Sequence, residues 1–190
     1  ATDLTIVANI RQVADRVVED FGQVDILVNN AGINVPKWAL EVEEEDWDRV
    51  LNLNTKALFF CCQAFGRYMV ERGYGRIINI SSQMGHVGFY YRASYCASKG
   101  AVNQLTKVLA IEWANRGVTV NAVSPTFVET PMTRPMLQDA QFREEVLRRI
   151  PAGRLATPEE VAAAVVFLAS DAAGMITGHS LLVDGGWVAW

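Results

Sequence analysis

The chain has 190 residues, of which 51% are hydrophobic and 20% are charged, and this length and composition suit a single domain over residues 1–190. Acidic and basic residues are interspersed, the formal net charge is −4 and no basic stripe occurs, which excludes a nucleic acid as the expected partner. Because the sequence has neither an apolar run of about 18 residues nor a signal peptide, we expect no membrane partner either.

Helical and extended patterns alternate along the first half of the chain. Apolar spacing predicts a helix over residues 7–21 and a strand over residues 24–29. A second pair follows, with one long helix over residues 44–70 and a strand over residues 76–81. The acidic run at residues 43–46 favours the N-terminus of this long helix electrostatically, and we prefer that role to a metal site.

The alternation continues to the end of the sequence. A helix is predicted over residues 95–115 and a strand over residues 118–123. The Thr-Pro pair at residues 157–158 begins a helix that runs to about residue 170, since threonine is a good cap and proline a good first residue. The last predicted strand covers residues 180–183. This alternation of element types predicts an α/β fold with a parallel sheet.

The cysteines and histidines lack the spacing of a metal site. Cys61 and Cys62 are adjacent in an apolar helical run, and Cys96 follows a tyrosine. We interpret all three as reduced thiols of a cytoplasmic protein. His86 and His179 are far apart, so no metal is expected. His86 either lines a substrate pocket or is solvated on its loop, and the second interpretation is preferred.

Tyr95 and Lys99 begin a predicted helix four residues apart, and Ser82 precedes the tyrosine by thirteen residues. Residues four apart lie on one face of a helix, so the phenol and the ammonium point the same way. A nearby cation favours the phenolate and lowers the pKa of a tyrosine, which then exchanges a proton with a carbinol or carbonyl oxygen. Ser82 ends a strand, from which its hydroxyl can bond the same oxygen.

Three further segments strengthen this interpretation: residues 25–32, a strand running into an Asn-Asn-Ala-Gly turn; residues 52–55, Asn-Leu-Asn-Thr; and residues 79–82, Asn-Ile-Ser-Ser. Together with the Tyr95–Lys99 pair, and over nearly the whole chain, they resemble the short-chain dehydrogenase/reductase family. The resemblance implies a doubly wound, Rossmann-type parallel sheet and a cofactor that is NAD or NADP.

The resemblance also implies a catalytic group of Asn54, Ser82, Tyr95 and Lys99. In the family, the tyrosine is the acid or base and the serine orients the substrate oxygen. Lys99 would hold the nicotinamide ribose and lower the pKa of Tyr95. Asn54 would anchor a water molecule that continues the proton path. The catalytic reaction would interconvert a secondary alcohol and a ketone.

Two of these positions have neighbours of the same type. Asn52 competes with Asn54, but only Asn54 directly precedes the Thr-Lys-Ala-Leu-Phe run that matches the family. Ser81 competes with Ser82, and the interval of thirteen residues to Tyr95 favours Ser82. Asn54 could instead bond its own helix backbone.

Cofactor contacts are implied at strand ends, where a doubly wound sheet places its ligand. The matching positions are Asp3, Leu4, Asn30, Ala31, Gly32, Tyr95, Lys99, Pro125, Val128 and Thr130. Asp3 equally suits a strand end followed by a helix cap, and the Asn-Asn-Ala-Gly segment equally suits an ordinary turn. Thr126 replaces a glycine of the family pattern, which affects the expected backbone path there.

The glycine-rich turn that binds pyrophosphate in this family does not occur in the sequence. Residues 1–5 match the family's third strand, so the first two strands and their helices are missing from this chain. We therefore expect residues 1–5 to have no neighbouring strand. The position that selects NAD or NADP ends the family's second strand, so the sequence predicts no preference between them.

Residues 31–34 and 183–187 resemble those of sugar-acid and polyol dehydrogenases, such as gluconate 5-dehydrogenases. The alternative substrate class is a 3-oxoacyl thioester, and the alternative of another kind is a non-catalytic interaction module with a Rossmann fold. Residues 130–156 resemble the family's substrate lid.

A homotetramer is expected. The apolar run at residues 58–65 and the helix at residues 95–115 match one family interface, and the C-terminal segment with Trp187 and Trp190 matches a second. Packing of the phenylalanines on their own sheet, with a disordered tail, is the alternative.

Overall fold

Four parallel strands form the sheet of the protein, whose computed structural model describes residues 2–189. In sheet order they are β1 (Ile26–Asn29), β2 (Gly75–Ile80), β3 (Val118–Pro125) and β4 (Ser180–Val183). The α-helices are α1 (Val7–Phe21), α2 (Glu44–Leu51), α3 (Leu58–Arg72), α4 (Ala93–Trp113), α5 (Arg134–Leu137), α6 (Ala140–Arg149) and α7 (Pro158–Ala169). The predicted α/β fold with a parallel sheet is confirmed.

Helices cover both faces of the sheet, as a doubly wound fold requires. On one face, Ile77 and Val120 pack with Met69 of α3 and Val102 of α4. On the other face, a second buried cluster contains Ile78, Val123 and Leu168 of α7. Each of these side chains is less than 2% exposed. Because successive strand residues point to opposite faces, a continuous apolar strand such as β2 serves both clusters.

The N-terminal strand expected over residues 1–5 is not observed in the part of this segment that the structure describes. Residues 2–5 lie before α1 as coil and turn, and residue 1 is outside the described range. A strand here would leave its backbone groups without a ladder partner. The Asp3 carboxylate instead accepts hydrogen bonds from the amide and hydroxyl of Thr5, at 2.9 and 2.7 Å.

The long helix predicted over residues 44–70 is interrupted. Between α2 and α3 the backbone forms a π-helical segment, Asn52–Ala57, and the helical axis then continues to Arg72. Apolar periodicity cannot distinguish a π-helical turn from an α-helical one over so short a stretch. Asn54 lies inside this segment and is 1% exposed, so the local change of helix type accompanies a candidate site residue.

The C-terminal segment is ordered against an aromatic cluster. Trp187 is 7% exposed and packs on Phe127 and Phe89, with ring centroids 5.8 and 5.7 Å away. The alternative of a disordered tail is therefore wrong for this residue. Trp190 lies outside the described residues. The cluster also receives Phe142 of α6, which fixes the segment between β3 and α7.

The predicted start of α7 is confirmed by a capping box. The Thr157 hydroxyl accepts a hydrogen bond from the amide of Glu160, and the Glu160 carboxylate accepts one from the amide of Thr157. Pro158 occupies the first turn. Arg154 donates to the same carboxylate, and these hydrogen bonds lower the pKa of Glu160 to about 2. The carboxylate therefore remains charged, and able to cap α7, through the neutral range.

His86 is not among the residues that line a cavity with Ser82 and Tyr95, and it is not simply solvated. Its ring is exposed, yet Nε2 lies 3.2 Å from Asn103 Nδ2 and 3.0 Å from Ser180 Oγ. Asn103 Nδ2 also donates to the Gly85 carbonyl, which fixes the orientation of the amide. An N–H therefore faces Nε2, so the network requires a neutral imidazole whose Nε2 accepts. Ser124 completes the network.

We predict that His86 titrates below the ordinary histidine pKa of 6.5. Partial burial and the charges of Lys107 and His179 lower its pKa, and Asp184 opposes them. As pH falls, the His86 imidazole takes up a proton in the unfolded chain before it does so in the folded protein. The stability that the neutral His86 network contributes should therefore be lost as pH falls below 6.5 towards the folded pKa. Titration of the imidazole C–H resonances by NMR tests this, with His86→Gln to assign them and His179→Gln as the matched control. A His86 pKa at or above 6.5 would contradict the network.

Candidate active site

The carboxyl ends of β1, β2 and β3 lie at one edge of the sheet because all three strands are parallel and adjacent. The chain leaves β1 into residues 30–34 and leaves β2 into Ser81 and Ser82. It leaves β3 at Pro125, and Thr126 continues towards β4 through a 3.1 Å hydrogen bond from its amide to the Val183 carbonyl. The candidate site is built at this edge, and threonine in place of the family glycine does not interrupt the path.

Ser82 and Tyr95 line the same cavity. Ser82 is the cap of a 3₁₀ turn, Gln83–Gly85, and its hydroxyl accepts a 3.2 Å hydrogen bond from the amide of Met84. Tyr95 lies in the first turn of α4, which packs beside that 3₁₀ turn. The cavity can therefore place one oxygen of a ligand beside both hydroxyls.

The pKa of Tyr95 is raised above its ordinary value, because burial disfavours the phenolate. A hydrogen bond with Ser82 and the charge of Arg92 act in the opposite direction. Arg92 is the cation for which an effect on this pKa is resolved. Lys99 Nζ lies 5.6 Å from the centre of the tyrosine ring, and its lowering of this pKa stays a prediction.

Lys99 is buried, with 4% exposure, and its ammonium donates a 2.7 Å hydrogen bond to the Ile80 carbonyl at the end of β2. Burial lowers the pKa of Lys99 to about 8. Gly32 lies close by, and a Cβ added there would come within 3.7 Å of Nζ. The ammonium is thus held at the strand edge between Tyr95 and the turn after β1.

Asn54 bonds two other parts of the site at once. Its Oδ1 accepts from the amide of Ile33 and its Nδ2 donates to the Ile33 carbonyl, both at 2.9 Å. The second Nδ2 hydrogen reaches the Ser98 hydroxyl at 3.1 Å. The π-helical segment therefore connects the turn after β1 with α4. Asn52 is half-buried and makes none of these contacts, which favours Asn54 of the two candidates.

Ser81, the competing serine, is 3% exposed and donates to the Lys99 carbonyl at 3.2 Å. Its hydroxyl is therefore engaged in holding α4 to the end of β2. Only Ser82 lines the cavity with Tyr95. The structure thus favours Ser82 of the two serines.

Of the implied cofactor contacts near the N-terminus and after β1, the structure brings only some together. Leu4, Asn30 and Ala31 line one hollow at the edge of β1. Asp3 is exposed, does not line that hollow and bonds Thr5. Helix α1 has no side-chain cap, so the alternative role of Asp3 as a helix cap is not observed either.

The segment after β3 is fixed by Thr133. Its hydroxyl donates to the Val128 carbonyl and accepts from the amide of Thr130 at 2.9 Å. Val128 also pairs with Ala156 through an isolated bridge. These contacts fix the turn after β3, and neither Val128 nor Thr130 lines the cavity of Ser82 and Tyr95.

Arg92 was not predicted, although it lines the same cavity as Ser82 and Tyr95. Arg92 is the cap residue before α4 and lies outside the helix, so its spacing from Tyr95 gave no signal of a shared helix face. Other polar residues of the cavity that were not predicted are Asn34, Gln83 and Thr133. These lie in turns and irregular segments, where sequence periodicity gives no direction for a side chain.

Within residues 2–189, no group of three or more His, Cys, Asp or Glu side chains is arranged to hold a metal ion. Across the same residues, none of the helices combines the length and apolar character needed to cross a membrane. Cys61, Cys62 and Cys96 are free thiols, and burial raises the pKa of Cys61 to about 11 and that of Cys62 to about 12.

Comparison with known proteins gives close matches. A family model described as enoyl-(acyl carrier protein) reductase matches residues 1–188. The chain is 43% identical over 188 residues to a 2-dehydro-3-deoxy-D-gluconate 5-dehydrogenase of Escherichia coli, covering 98% of this chain and 74% of that protein. It is 45% identical over 187 residues to a D-threitol dehydrogenase of Mycolicibacterium smegmatis, covering 98% of this chain and 72% of that one.

A solved structure is similar over the same extent. A gluconate 5-dehydrogenase from Burkholderia cenocepacia, crystallised with NADP and tartrate, superposes with a TM-score of 0.97 at 37% identity. The match covers 99% of this chain and 74% of that one. Identity at this level, over nearly all of the chain and about three quarters of the relatives, agrees with the strand-edge site described above. The chain belongs to the short-chain dehydrogenase/reductase family.

Proposed function

We propose that this protein is an NAD(P)-dependent oxidoreductase that interconverts a secondary alcohol and a ketone of a sugar acid or polyol. The observation that carries the proposal is the shared cavity of Ser82 and Tyr95, with Lys99 buried directly behind the tyrosine ring. A substrate oxygen bonded to both hydroxyls is oriented by the serine and exchanges a proton with the phenol.

Tyr95 is the proposed acid and base. Its raised pKa keeps the phenol protonated at neutral pH, which suits proton donation to a carbonyl oxygen during reduction. In the opposite direction, the phenolate accepts the carbinol proton, and the Ser82 hydrogen bond and the charge of Arg92 both favour that phenolate. The same residue thus serves either direction, with Ser82 holding the oxygen in both.

Lys99 and Asn54 are proposed to support proton transfer and binding. Lys99 uses one N–H for the Ile80 carbonyl and keeps others for a ribose hydroxyl or a water molecule. Asn54 has committed both amide hydrogens to Ile33 and Ser98. A water molecule in the proton path must therefore bond an acceptor of Asn54, namely the free lone pair of Oδ1 or the backbone carbonyl.

The residues at this edge fit a nicotinamide dinucleotide. At Gly32 the absence of a side chain leaves room beside Lys99 and Asn54, where an added Cβ would lie 3.3 Å from Asn54 Oδ1. The proposed contacts on either side are Ala31 and Asn30 after β1 and Val128 and Thr130 after β3. When bound, the cofactor supplies the hydride acceptor or donor. Relatives bind NADP or NAD.

The substrate class follows the relatives and the polarity of the cavity. Relatives act on sugar acids and polyols, and polar groups line much of this cavity. The alternative, a 3-oxoacyl thioester, is favoured by relatives named 3-oxoacyl-[acyl-carrier-protein] reductase, which are 45% and 42% identical to this chain. A non-catalytic module is disfavoured because the Ser82, Tyr95, Lys99 and Asn54 side chains are all present and bonded as a functional group requires.

Residues 130–156 are proposed to act as a substrate lid. Met132, Thr133 and Met136 from this segment line the cavity opposite Tyr95, and Met132 is exposed to solvent on its outer side. The segment is more regular than the sequence predicts, because it contains α5 and α6. The contact of Thr133 with the Val128 carbonyl provides one fixed end for such a lid.

A homotetramer is also proposed, from two exposed apolar faces. Ile111 on α4 is 80% exposed and lies beside exposed Val108. Val166 on α7 is 67% exposed, near exposed Phe167 and Leu182. Two separate self-complementary faces, each closed by a two-fold axis, assemble a dimer of dimers. The second face is formed by α7 and β4, since Trp187 is buried within the subunit.

The first prediction from this proposal concerns the phenol of Tyr95. Tyr95→Phe in the full-length protein should lower kcat by about 10²–10⁴-fold, because the proton-exchanging group is removed. The fold should survive, since the ring still packs. Steady-state kinetics test this, with Tyr68→Phe, on α3 and outside the cavity, as the control for loss of a hydroxyl. Near-full turnover by Tyr95→Phe would refute the assignment of the acid and base.

The second prediction concerns the substrate class. With NAD⁺ or NADP⁺, the full-length protein should oxidise members of an aldonate and alditol panel, and it should reduce an acetoacetyl thioester far more slowly. The reason is the polar lining of the cavity, which would leave unpaired groups against an acyl chain. Cofactor absorbance measures both reactions. Preferential reduction of the thioester would establish the alternative function.

The third prediction concerns assembly. Light scattering at micromolar concentration should give a tetramer mass for the full-length protein. Ile111→Asp and Val166→Asp should each give dimers, because each places a charge in one of the two apolar interfaces. Leu40→Asp, a change at a fully exposed residue elsewhere, is the control and should remain a tetramer. A monomer mass for the unsubstituted protein would refute the proposal.

A further inference from the structure

Arg92 is a buried cation without an acidic partner. It is 5% exposed, and within residues 2–189 it belongs to none of the ion pairs. Its guanidinium donates to the Tyr91 carbonyl and to the sulfur of Met136, both at 3.2 Å. These two weak contacts use only part of its donor set. A buried charge normally requires a partner, so its remaining N–H groups are available for an anion in the cavity that it lines.

The backbone beside Arg92 is held in a strained conformation. Tyr91 has φ of +61°, a left-handed conformation that few residues other than glycine adopt. It is held by the Trp38 ring, 4.2 Å away between centroids, and by a backbone bridge between Lys37 and Arg92. Strain of this kind persists where surrounding contacts enforce it, often at ligand sites. The strained residue directs Arg92 inward from the start of α4.

The rest of the cavity complements an anion that carries several hydroxyls. Asn34 Oδ1, Thr126 Oγ1 and both polar atoms of the Gln83 side chain are buried without hydrogen-bond partners among the described residues. All three residues line the same cavity as Arg92, and no acidic residue does. The adjacent end of α4 has no side-chain cap and no acidic residue in its first turn, so its dipole also favours negative charge.

We propose that Arg92 binds the carboxylate of a polyhydroxy acid and thereby selects the acid over a neutral polyol. This inference rests on the proposed function and narrows its substrate class. The planar guanidinium matches a carboxylate through paired N–H donors, which lysine cannot reproduce. Gln83, Asn34 and Thr126 receive the hydroxyls along the chain, and one carbinol oxygen reaches Ser82 and Tyr95.

A purely structural role for Arg92 makes a different prediction. In that case a neutral replacement would weaken binding of acid and alditol alike, or would lower stability alone. If Arg92 binds the anion, its replacement changes the ratio of the affinity for the acid to the affinity for the alditol. Any effect of Arg92 on the pKa of Tyr95 is common to both ligands and cancels in this ratio.

The test compares D-gluconate with D-glucitol, which replaces the carboxylate by a neutral alcohol. Calorimetric affinity and kcat/KM are measured on the full-length protein, on Arg92→Gln, on Arg92→Lys and on Arg16→Gln. Arg16 is an exposed residue of α1 and controls for the loss of one positive charge. Thermal unfolding verifies that each variant folds.

Arg92→Gln should lower the affinity for gluconate by about 10- to 100-fold, as expected for loss of a charge-assisted hydrogen bond in a buried site. The affinity for glucitol should change little. Arg92→Lys should recover part of the lost affinity, and Arg16→Gln should change the affinity for neither ligand.

Equal affinity for both ligands in the unsubstituted protein, or an equal loss of affinity for both in Arg92→Gln, would overturn the inference. Oxidation of glucitol but not gluconate would overturn it while leaving the proposed function intact. Arg92-dependent gluconate binding without turnover of any alcohol would support it and refute the function.

Discussion

The bonds of Asn54 connect the segments on which the candidate site depends. One amide joins the π-helical segment to the backbone of Ile33 after β1 and to Ser98 on α4. Helix α4 also carries Tyr95 and Lys99. Their position relative to the turn after β1 therefore depends on the buried Asn54 side chain. Loss of one buried partner leaves others unsatisfied, which makes such a junction costly to disturb.

The parallel sheet provides the second constraint on the site. Lys99 bonds the Ile80 carbonyl at the end of β2, so α4 is held directly against the strand that leads into Ser82. Two cations, Lys99 and Arg92, then lie on different sides of Tyr95. Lys99 is behind the ring on the strand side, and Arg92 faces the cavity. Under the proposed function, cofactor binding falls to Lys99 and substrate binding to Arg92.

Much of this arrangement could be predicted from the sequence, because it depends on spacing along regular elements. Ser82 lies just after the end of β2, and Tyr95 and Lys99 lie near the start of α4. The Thr157 cap likewise follows local chemistry. Arg92 was not predicted, because its burial depends on the strained backbone at Tyr91 and on contacts distant in sequence. The π-helical turn around Asn54 has the same apolar pattern as an α-helix and could not be distinguished from it.

A crystal structure of the full-length protein with D-gluconate tests the central claim most directly, because that claim is geometric. The account predicts the carboxylate within hydrogen-bond distance of the Arg92 guanidinium and one carbinol oxygen between Ser82 Oγ and the Tyr95 hydroxyl. The remaining hydroxyls should meet Gln83 and Asn34. A gluconate bound in this cavity with its carboxylate away from Arg92, or bound only outside the cavity, would contradict it.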